Sequence, residues 1–260
     1  MSPQPPPLAI HSPDLRGGSG SGRISTLTSG VSEHAIVTRG RQKYLVVTPD
    51  DPGDGHAPVL LALHGMGMSA SSLLRRLQLL DVTRMRLVLP DGPHRHEIRR
   101  QDQIKTGHSW YIYNGDQELF REELERSEAG LLEILAAVDR QHPVDWSRSA
   151  VLGFSQGGYL AGFLGSRHPE LLAGVIIASA RLKHEFLVEE ITSGELPSFL
   201  FVYSPTDGAI PFDRLEVGIA KLEKTAAEIE VRHHDDGHRL SETAIAIIAT
   251  WLKEKGFDDR

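Results

Sequence analysis

A serine set between two glycines, where a buried strand gives way to a helix, constrains this chain more than any other stretch. In Val151-Leu-Gly-Phe-Ser-Gln-Gly-Gly-Tyr159 the apolar residues from Ala150 read as the end of a strand, and Gln156 opens a helix carrying Tyr159, Leu160, Phe163 and Leu164. Gly153, Ser155 and Gly157 make a Gly-x-Ser-x-Gly pattern. The spacing has a steric reason. A serine on so sharp a strand-to-helix turn takes a strained backbone, and side chains two residues either side of it would collide. The turn lifts the hydroxyl above a sheet edge and aims the first N–H groups of the helix at whatever binds there. A plain Gly/Ser loop is the alternative, and the flanking strand and helix favour the turn.

That strand needs a sheet, and the rest of the chain supplies one. Val59-Leu-Leu-Ala-Leu63, Arg86-Leu-Val-Leu89, Leu172-Ala-Gly-Val-Ile-Ile-Ala178 and Ser198-Phe-Leu-Phe-Val-Tyr203 are continuous apolar runs, as strands buried on both faces need. Ile229-Glu-Val-Arg232 is a further strand. Between the strands, residues 73–80, 118–140, 215–227 and 244–255 have helical spacing, and 184–191 suit a short helix. Strand alternating with helix from residue 59 onward predicts an α/β fold, with a mostly parallel central sheet covered by helices on both faces. Ahead of it, Ala35-Ile-Val-Thr38 and Lys43-Tyr-Leu-Val-Val-Thr48 around Arg39-Gly40 read as an N-terminal β-hairpin. Residues 1–32, with Pro5-Pro6-Pro7 and Ser19-Gly20-Ser21-Gly22, read as a flexible tail, and residues 33–260 as one domain. Residues 94–116 are long, polar and weakly periodic, and read as a loop that, following a strand of the sheet, could overhang the site.

Composition removes several classes of function. A net charge of −7 argues against a general nucleic-acid binder. No apolar stretch is long enough to span a membrane, and the Pro- and Ser-rich start lacks the features of a signal peptide. There is no cysteine, so disulfides, thiolate metal sites and a cysteine nucleophile are excluded, which fits a cytoplasmic protein.

Two further loops follow predicted strands. Asp207 stands in Ser204-Pro-Thr-Asp-Gly-Ala-Ile-Pro211 and His238 in Asp235-Asp-Gly-His-Arg239. With Ser155 they would share the carboxyl edge of a parallel sheet, where ligands bind. A serine hydroxyl is a poor nucleophile until an imidazole takes its proton, and a carboxylate fixes that imidazole's tautomer. Asp235 and Asp236 are second choices for the acid. Asp213 is expected to cap the following helix. After the first buried strand, His64-Gly-Met-Gly-Met68 can turn backbone N–H groups toward Ser155; the natural oxyanion pair is Met66 N–H and Gln156 N–H. His64 is expected to pack and hydrogen-bond inside its loop.

Taken together, Leu63-His-Gly-Met-Gly67, Leu89-Pro-Asp-Gly-Pro93, Trp110-Tyr111, Gly153-Phe-Ser-Gln-Gly-Gly158, Leu172-Ala-Gly-Val175, Asp207 with Ile210-Pro211, and Gly237-His238 resemble the phospholipase/carboxylesterase family of α/β-hydrolases, which includes the acyl-protein thioesterases. The resemblance covers residues 59–255 and implies hydrolysis of carboxylic esters or thioesters by Ser155, Asp207 and His238, without a cofactor. The chain departs from the family pattern at Met68, where an acidic residue is common, and at Tyr203-Ser204, where His-Gly is common. Its N-terminal hairpin and tail look more like the opening of larger esterases.

On this reading the expected partner is a small-molecule ester or thioester, with no nucleic acid, no membrane span and room for a homodimer. A thioesterase or lysophospholipase acting on long acyl chains, a peptidase, and a silent hydrolase-fold binding protein are the rival readings. Met68, Trp110 and Tyr111 are the candidate substrate-binding residues; Trp110, Tyr111 and Tyr113 either line a pocket or bury their loop. Arg95, Arg99, Arg100 and Lys105 either attract an acidic substrate or form a solvated face. His94-Arg-His96 and His233-His234-Asp235-Asp236 have the residue types of metal ligands but not the flanking pattern of a site, so no metal is expected.

Overall fold

The computed structural model describes residues 40–49, 55–80, 82–100, 103–193 and 195–259. A seven-stranded sheet carries the molecule. Its strands are β1 (Tyr44–Val47), β2 (Val59–Leu63), β3 (Arg86–Pro90), β6 (Ala150–Phe154), β7 (Gly174–Ala178), β8 (Ser198–Tyr203) and β9 (Ile229–His233), in the order β1-β3-β2-β6-β7-β8-β9. β1 runs antiparallel to β3 and every other pair is parallel. The antiparallel β1 accounts for the expected strand over residues 43–48. Its expected hairpin mate, residues 35–38, lies outside the described residues, as does the proposed tail.

Alternation along β2 shows why the central runs are apolar throughout. Val59, Leu61 and Leu63 enter one core cluster and Leu60 and Ala62 the other, and all five are fully buried. On the first face lie α2 (Gln117–Gln141), α3 (Gln156–Arg167) and α5 (Phe212–Leu222), contributing residues such as Leu131, Phe163 and Leu222. On the other lie α1 (Ala70–Leu77) and α6 (Glu242–Glu254), contributing Leu73 and Trp251. Truncating one of these buried leucines to alanine costs about 2–5 kcal/mol. The short α4 (Val188–Ser193) follows a single 3-10 turn, so the helix expected over residues 184–191 is split in two.

Helix starts follow local capping chemistry. Ser69 and Ser72 form a capping box at α1. Asp116 accepts the N–H groups of Glu118 and Leu119 at α2, and Ser241 that of Ala244 at α6. Asp213 does not cap α5. It sits in the first turn, after an N-cap at Pro211.

Residues 94–116 differ from the loop expected there. β4 (His94–Arg100) and β5 (Gln103–Ser109) form a separate two-stranded antiparallel sheet, paired from His94↔Ser109 to Arg100↔Gln103. Its outer part is exposed, Ile104 included, while Gly107, His108 and Ser109 at its base are buried. Backbone pairing rather than burial builds this ribbon, so its sequence carries no apolar alternation. No helix among the described residues is long and apolar enough to cross a membrane.

Candidate active site

Ser155 follows β6 with φ +52° and ψ −118°, a left-handed conformation that costs a side chain about 1–3 kcal/mol. The surrounding backbone holds it there. Its N–H donates to the Ala178 carbonyl of β7 at 2.9 Å, and its carbonyl accepts from Gly158 N–H at 2.8 Å. The two glycines of the motif are required by close approach. A Cβ on Gly153 would stand 2.1 Å from the Gly157 carbonyl oxygen, and one on Gly157 2.3 Å from that of Leu63. The helix therefore enters hard against β2 and β6, and only residues without side chains fit at those two points.

His238 and Asp207 come from the ends of β9 and β8, which lie beyond β7 on the same side of β6. Asp207 follows β8 and His238 follows β9. His238 Nε2 lies 2.9 Å from Ser155 Oγ, and His238 Nδ1 lies 2.8 Å from Asp207 Oδ2. An ionised carboxylate only accepts, so Nδ1 carries the ring proton and Nε2 presents its lone pair to the serine hydroxyl. Asp207 Oδ1 also accepts the N–H groups of Ala209 at 2.8 Å and Ile210 at 3.0 Å. Burial alone would raise its pKa, but the bonds from His238, Ile210 and Ala209 outweigh it and hold the carboxyl below its usual value. Phe154 packs on the imidazole with ring centroids 5.5 Å apart.

Ser204 and Tyr203, which replace the family's common His-Gly, tie the two loops together. Ser204 Oγ accepts Gly237 N–H at 3.1 Å, next to His238. Tyr203 stacks on Phe212 at 4.5 Å, and its carbonyl accepts His234 N–H. Asp236 lies 3.5 Å from a different histidine, His234. His94 pairs with Glu123 at 2.6 Å. Among the described residues no group of three His, Asp or Glu side chains could hold a metal ion.

The loop after β2 is supported from beneath. His64 is fully buried and its pKa is lowered to about 4, chiefly by desolvation, so its ring is neutral. Nδ1 donates to the Gly65 carbonyl at 2.8 Å and Nε2 accepts Gly92 N–H at 3.0 Å. Trp110 packs on this ring and donates Nε1–H to the His64 carbonyl at 2.8 Å. Of the two readings of Trp110, lining a pocket or burying its loop, its full burial and its bond to His64 fit the second. β5 clamps the same loop from outside, through Gly67 N–H to the His108 carbonyl and His108 N–H to the Met68 carbonyl, both at 2.9 Å.

Of the other expected residues, Met66 is exposed and Gln156 opens α3, so the Gln156 N–H has no acceptor within its own helix. Tyr111 is nearly buried and lines a cavity beside Phe120 and Tyr159. Met68 lines a different groove, with Arg75, Arg76 and Lys105. Sequence reasoning missed the side chain of Gln156. Its Oε1 accepts Trp110 N–H at 2.9 Å and its Nε2 donates to the Tyr111 carbonyl at 2.8 Å. It also missed Ser127, whose hydroxyl donates to the Trp110 carbonyl at 2.6 Å, and Asp91, which accepts Ala70 N–H at 2.7 Å. Asp91 and Gly92 belong to a motif visible in the sequence, but nothing there said what they support.

Solved structures with this fold include a Bacillus cereus carboxylesterase, at 17% identity and TM-score 0.63, covering 82% of this chain and 94% of that one. Esterase PE8 is similar at 19% identity and TM-score 0.70, with coverage of 83% and 99%. Zea mays acyl-protein thioesterase 2 is similar at 16% identity and TM-score 0.65, with coverage of 82% and 98%. No curated protein matches the sequence significantly. The model of the Phospholipase/Carboxylesterase family matches residues 43–255, the span that carries β1 through α6 and the loops bearing Ser155, Asp207 and His238, and the chain belongs to that family.

Proposed function

We propose that the protein is a serine hydrolase that cleaves carboxylic esters through Ser155, His238 and Asp207. The observation that carries this reading is the continuous hydrogen-bonded line from Ser155 Oγ through the His238 ring to Asp207 Oδ2, at 2.9 and 2.8 Å. Family membership supports the class of reaction, hydrolysis of an ester or thioester.

In the proposed reaction, Ser155 Oγ bonds to the acyl carbonyl carbon as its proton passes to His238 Nε2. The carbonyl oxygen becomes an oxyanion, held by the N–H groups of Met66 and Gln156. The carbon–oxygen bond to the alcohol then breaks, and Nε2 returns the proton to the departing oxygen. Water enters, gives a proton to Nε2 and attacks the acyl-enzyme. The acid leaves as Ser155 recovers its proton. Asp207 stays ionised and stabilises the imidazolium. No step needs a cofactor or a metal. Absence of cysteine suits a reducing compartment, and the cytoplasm is the proposed location.

Hydrolysis of p-nitrophenyl esters from acetate to palmitate, by wild type and Ser155→Ala side by side, tests the reading. Activity in wild type and background in the variant is the expected result. Equal activity in both would mean the wrong nucleophile. Thioesters of the preferred acyl chain separate an esterase from a thioesterase. A folded protein that neither turns over an ester nor is labelled by a fluorophosphonate would instead be a binding protein.

A further inference from the structure

A cavity of about 440 Å³, lined by Tyr159 of α3 one helical turn after Ser155, has a lining richer in charge than a hydrocarbon acyl chain would require. Tyr111, Phe120 and Tyr159 give it aromatic walls, and Arg181, Lys183 and Arg214 give it cations. Its place in the fold ties it to the serine. Tyr159 lies one helical turn after Ser155 and donates its N–H to the Ser155 carbonyl at 3.3 Å. The Tyr111 carbonyl accepts from Gln156, the residue after the serine. Arg181 and Lys183 follow β7, the strand whose Ala178 carbonyl receives Ser155 N–H. Arg214 stands in the first turn of α5, directly after the Asp207 loop.

The charges do not cancel. Glu185 is the one carboxylate of the lining. It takes two guanidinium nitrogens of Arg181, each at 3.0 Å, and Lys183 Nζ at 3.2 Å. Arg214 has no ion pair among the described residues. One negative charge therefore faces three positive ones, in a chain whose net charge is −7. The Lys183 side chain is only 6% exposed, with Nζ bonded to Gln117 Oε1 at 2.7 Å and lying 4.6 Å from the Phe186 ring centroid. Filling such a cavity with alkyl chain would strip water from cations and return nothing to them. An anionic oxygen group would receive charge-assisted bonds from these cations.

We propose that this cavity binds a carboxylate on the substrate, received by Arg214 and Arg181, so that the protein prefers short esters bearing a carboxylate over fatty esters. The inference rests on Ser155 being the nucleophile. The carboxylate could belong to the acyl or the alcohol part, and the two arms of the test separate them.

The acyl arm compares kcat/KM for p-nitrophenyl hydrogen adipate and p-nitrophenyl hexanoate, equal in chain length and differing in the terminal carboxylate. The alcohol arm compares 4-carboxyphenyl acetate with neutral 4-carbamoylphenyl acetate. One arm should favour the carboxylate ester about tenfold or more at low salt, and the preference should shrink as salt rises. Arg214→Gln should cut that anionic-to-neutral ratio about tenfold. Lys221→Gln, an exposed lysine of the same helix outside the lining, should not move the ratio. If neutral esters are hydrolysed in a Ser155-dependent way and both carboxylate esters are slower, the inference fails and the serine mechanism stands. A ratio that Arg214→Gln does not change also overturns it. If no ester is hydrolysed and Ser155 is not labelled by a fluorophosphonate, the mechanism fails and the inference goes with it.

Discussion

Asp207→Asn is the sharpest test of the geometry, because it keeps shape and inverts one proton. Asp207 Oδ1 accepts two backbone N–H groups, from Ala209 and Ile210. In the variant the amide oxygen must take that place, since the amide nitrogen would set donor against donor. The NH2 group is then left facing His238 Nδ1, 2.8 Å away in the wild type. An NH2 donor requires Nδ1 to accept, so the ring proton moves to Nε2. Nε2 then turns an N–H toward Ser155 Oγ, where a lone pair is needed to take the serine proton. A tautomer inversion of this kind costs about 10⁴ in kcat, or roughly 5 kcal/mol in activation free energy. The loop bonds survive, so thermal unfolding should change little. The assay is kcat on the best p-nitrophenyl ester, with the rate of fluorophosphonate labelling alongside. Asp236→Asn is the control, since Asp236 lies beside His234 rather than His238. If Asp207→Asn keeps more than a tenth of wild-type kcat, or Asp236→Asn falls as far, the acid has been misassigned.

Three further outcomes are expected. Gly157→Ala forces a methyl to 2.3 Å from the Leu63 carbonyl oxygen, between two rigid elements, and should cost about 3 kcal/mol of unfolding free energy, read as a lower urea midpoint at unchanged m. An unchanged midpoint would mean that α3 can slide away from β2. His64 titrates near 4 when folded and near 6.5 when unfolded, so the unfolded state binds more protons between those values. Its contribution to stability is therefore complete above pH 6.5 and lost as pH falls toward 4, by roughly 3 kcal/mol; in His64→Asn the slope of stability against pH in that window should flatten. Gln156→Leu strands the buried Trp110 N–H and Tyr111 carbonyl, at about 1–3 kcal/mol each, and should lower both the melting temperature and kcat.

The parts of this molecule that were legible in the sequence share one property: burial dictates them. Leu60 and Leu61 must both be apolar because helices cover both faces of β2, and so the run announces a central strand. The Gly153-x-Ser155-x-Gly157 spacing is equally dictated, by two backbone approaches that leave no room for a Cβ. The β4–β5 ribbon is the opposite case. It is held by backbone pairing and by two backbone bonds to the loop after β2, and these bonds do not depend on side-chain type. Arg95, Arg99 and Lys105 could therefore occupy it without any periodic signal. The cavity lined by Tyr159 and Arg214 was hidden for another reason. Tyr111 and Arg181 come from two loops, Tyr159 from α3 and Arg214 from α5, and only the crossovers of the sheet bring them together. In a fold whose scaffold is set by burial, the residues proposed to choose a substrate come from first helical turns and loops, and no single stretch shows them together. The scaffold and the serine turn can then be read from one strand at a time, while the chemistry that selects a substrate needs the closed sheet.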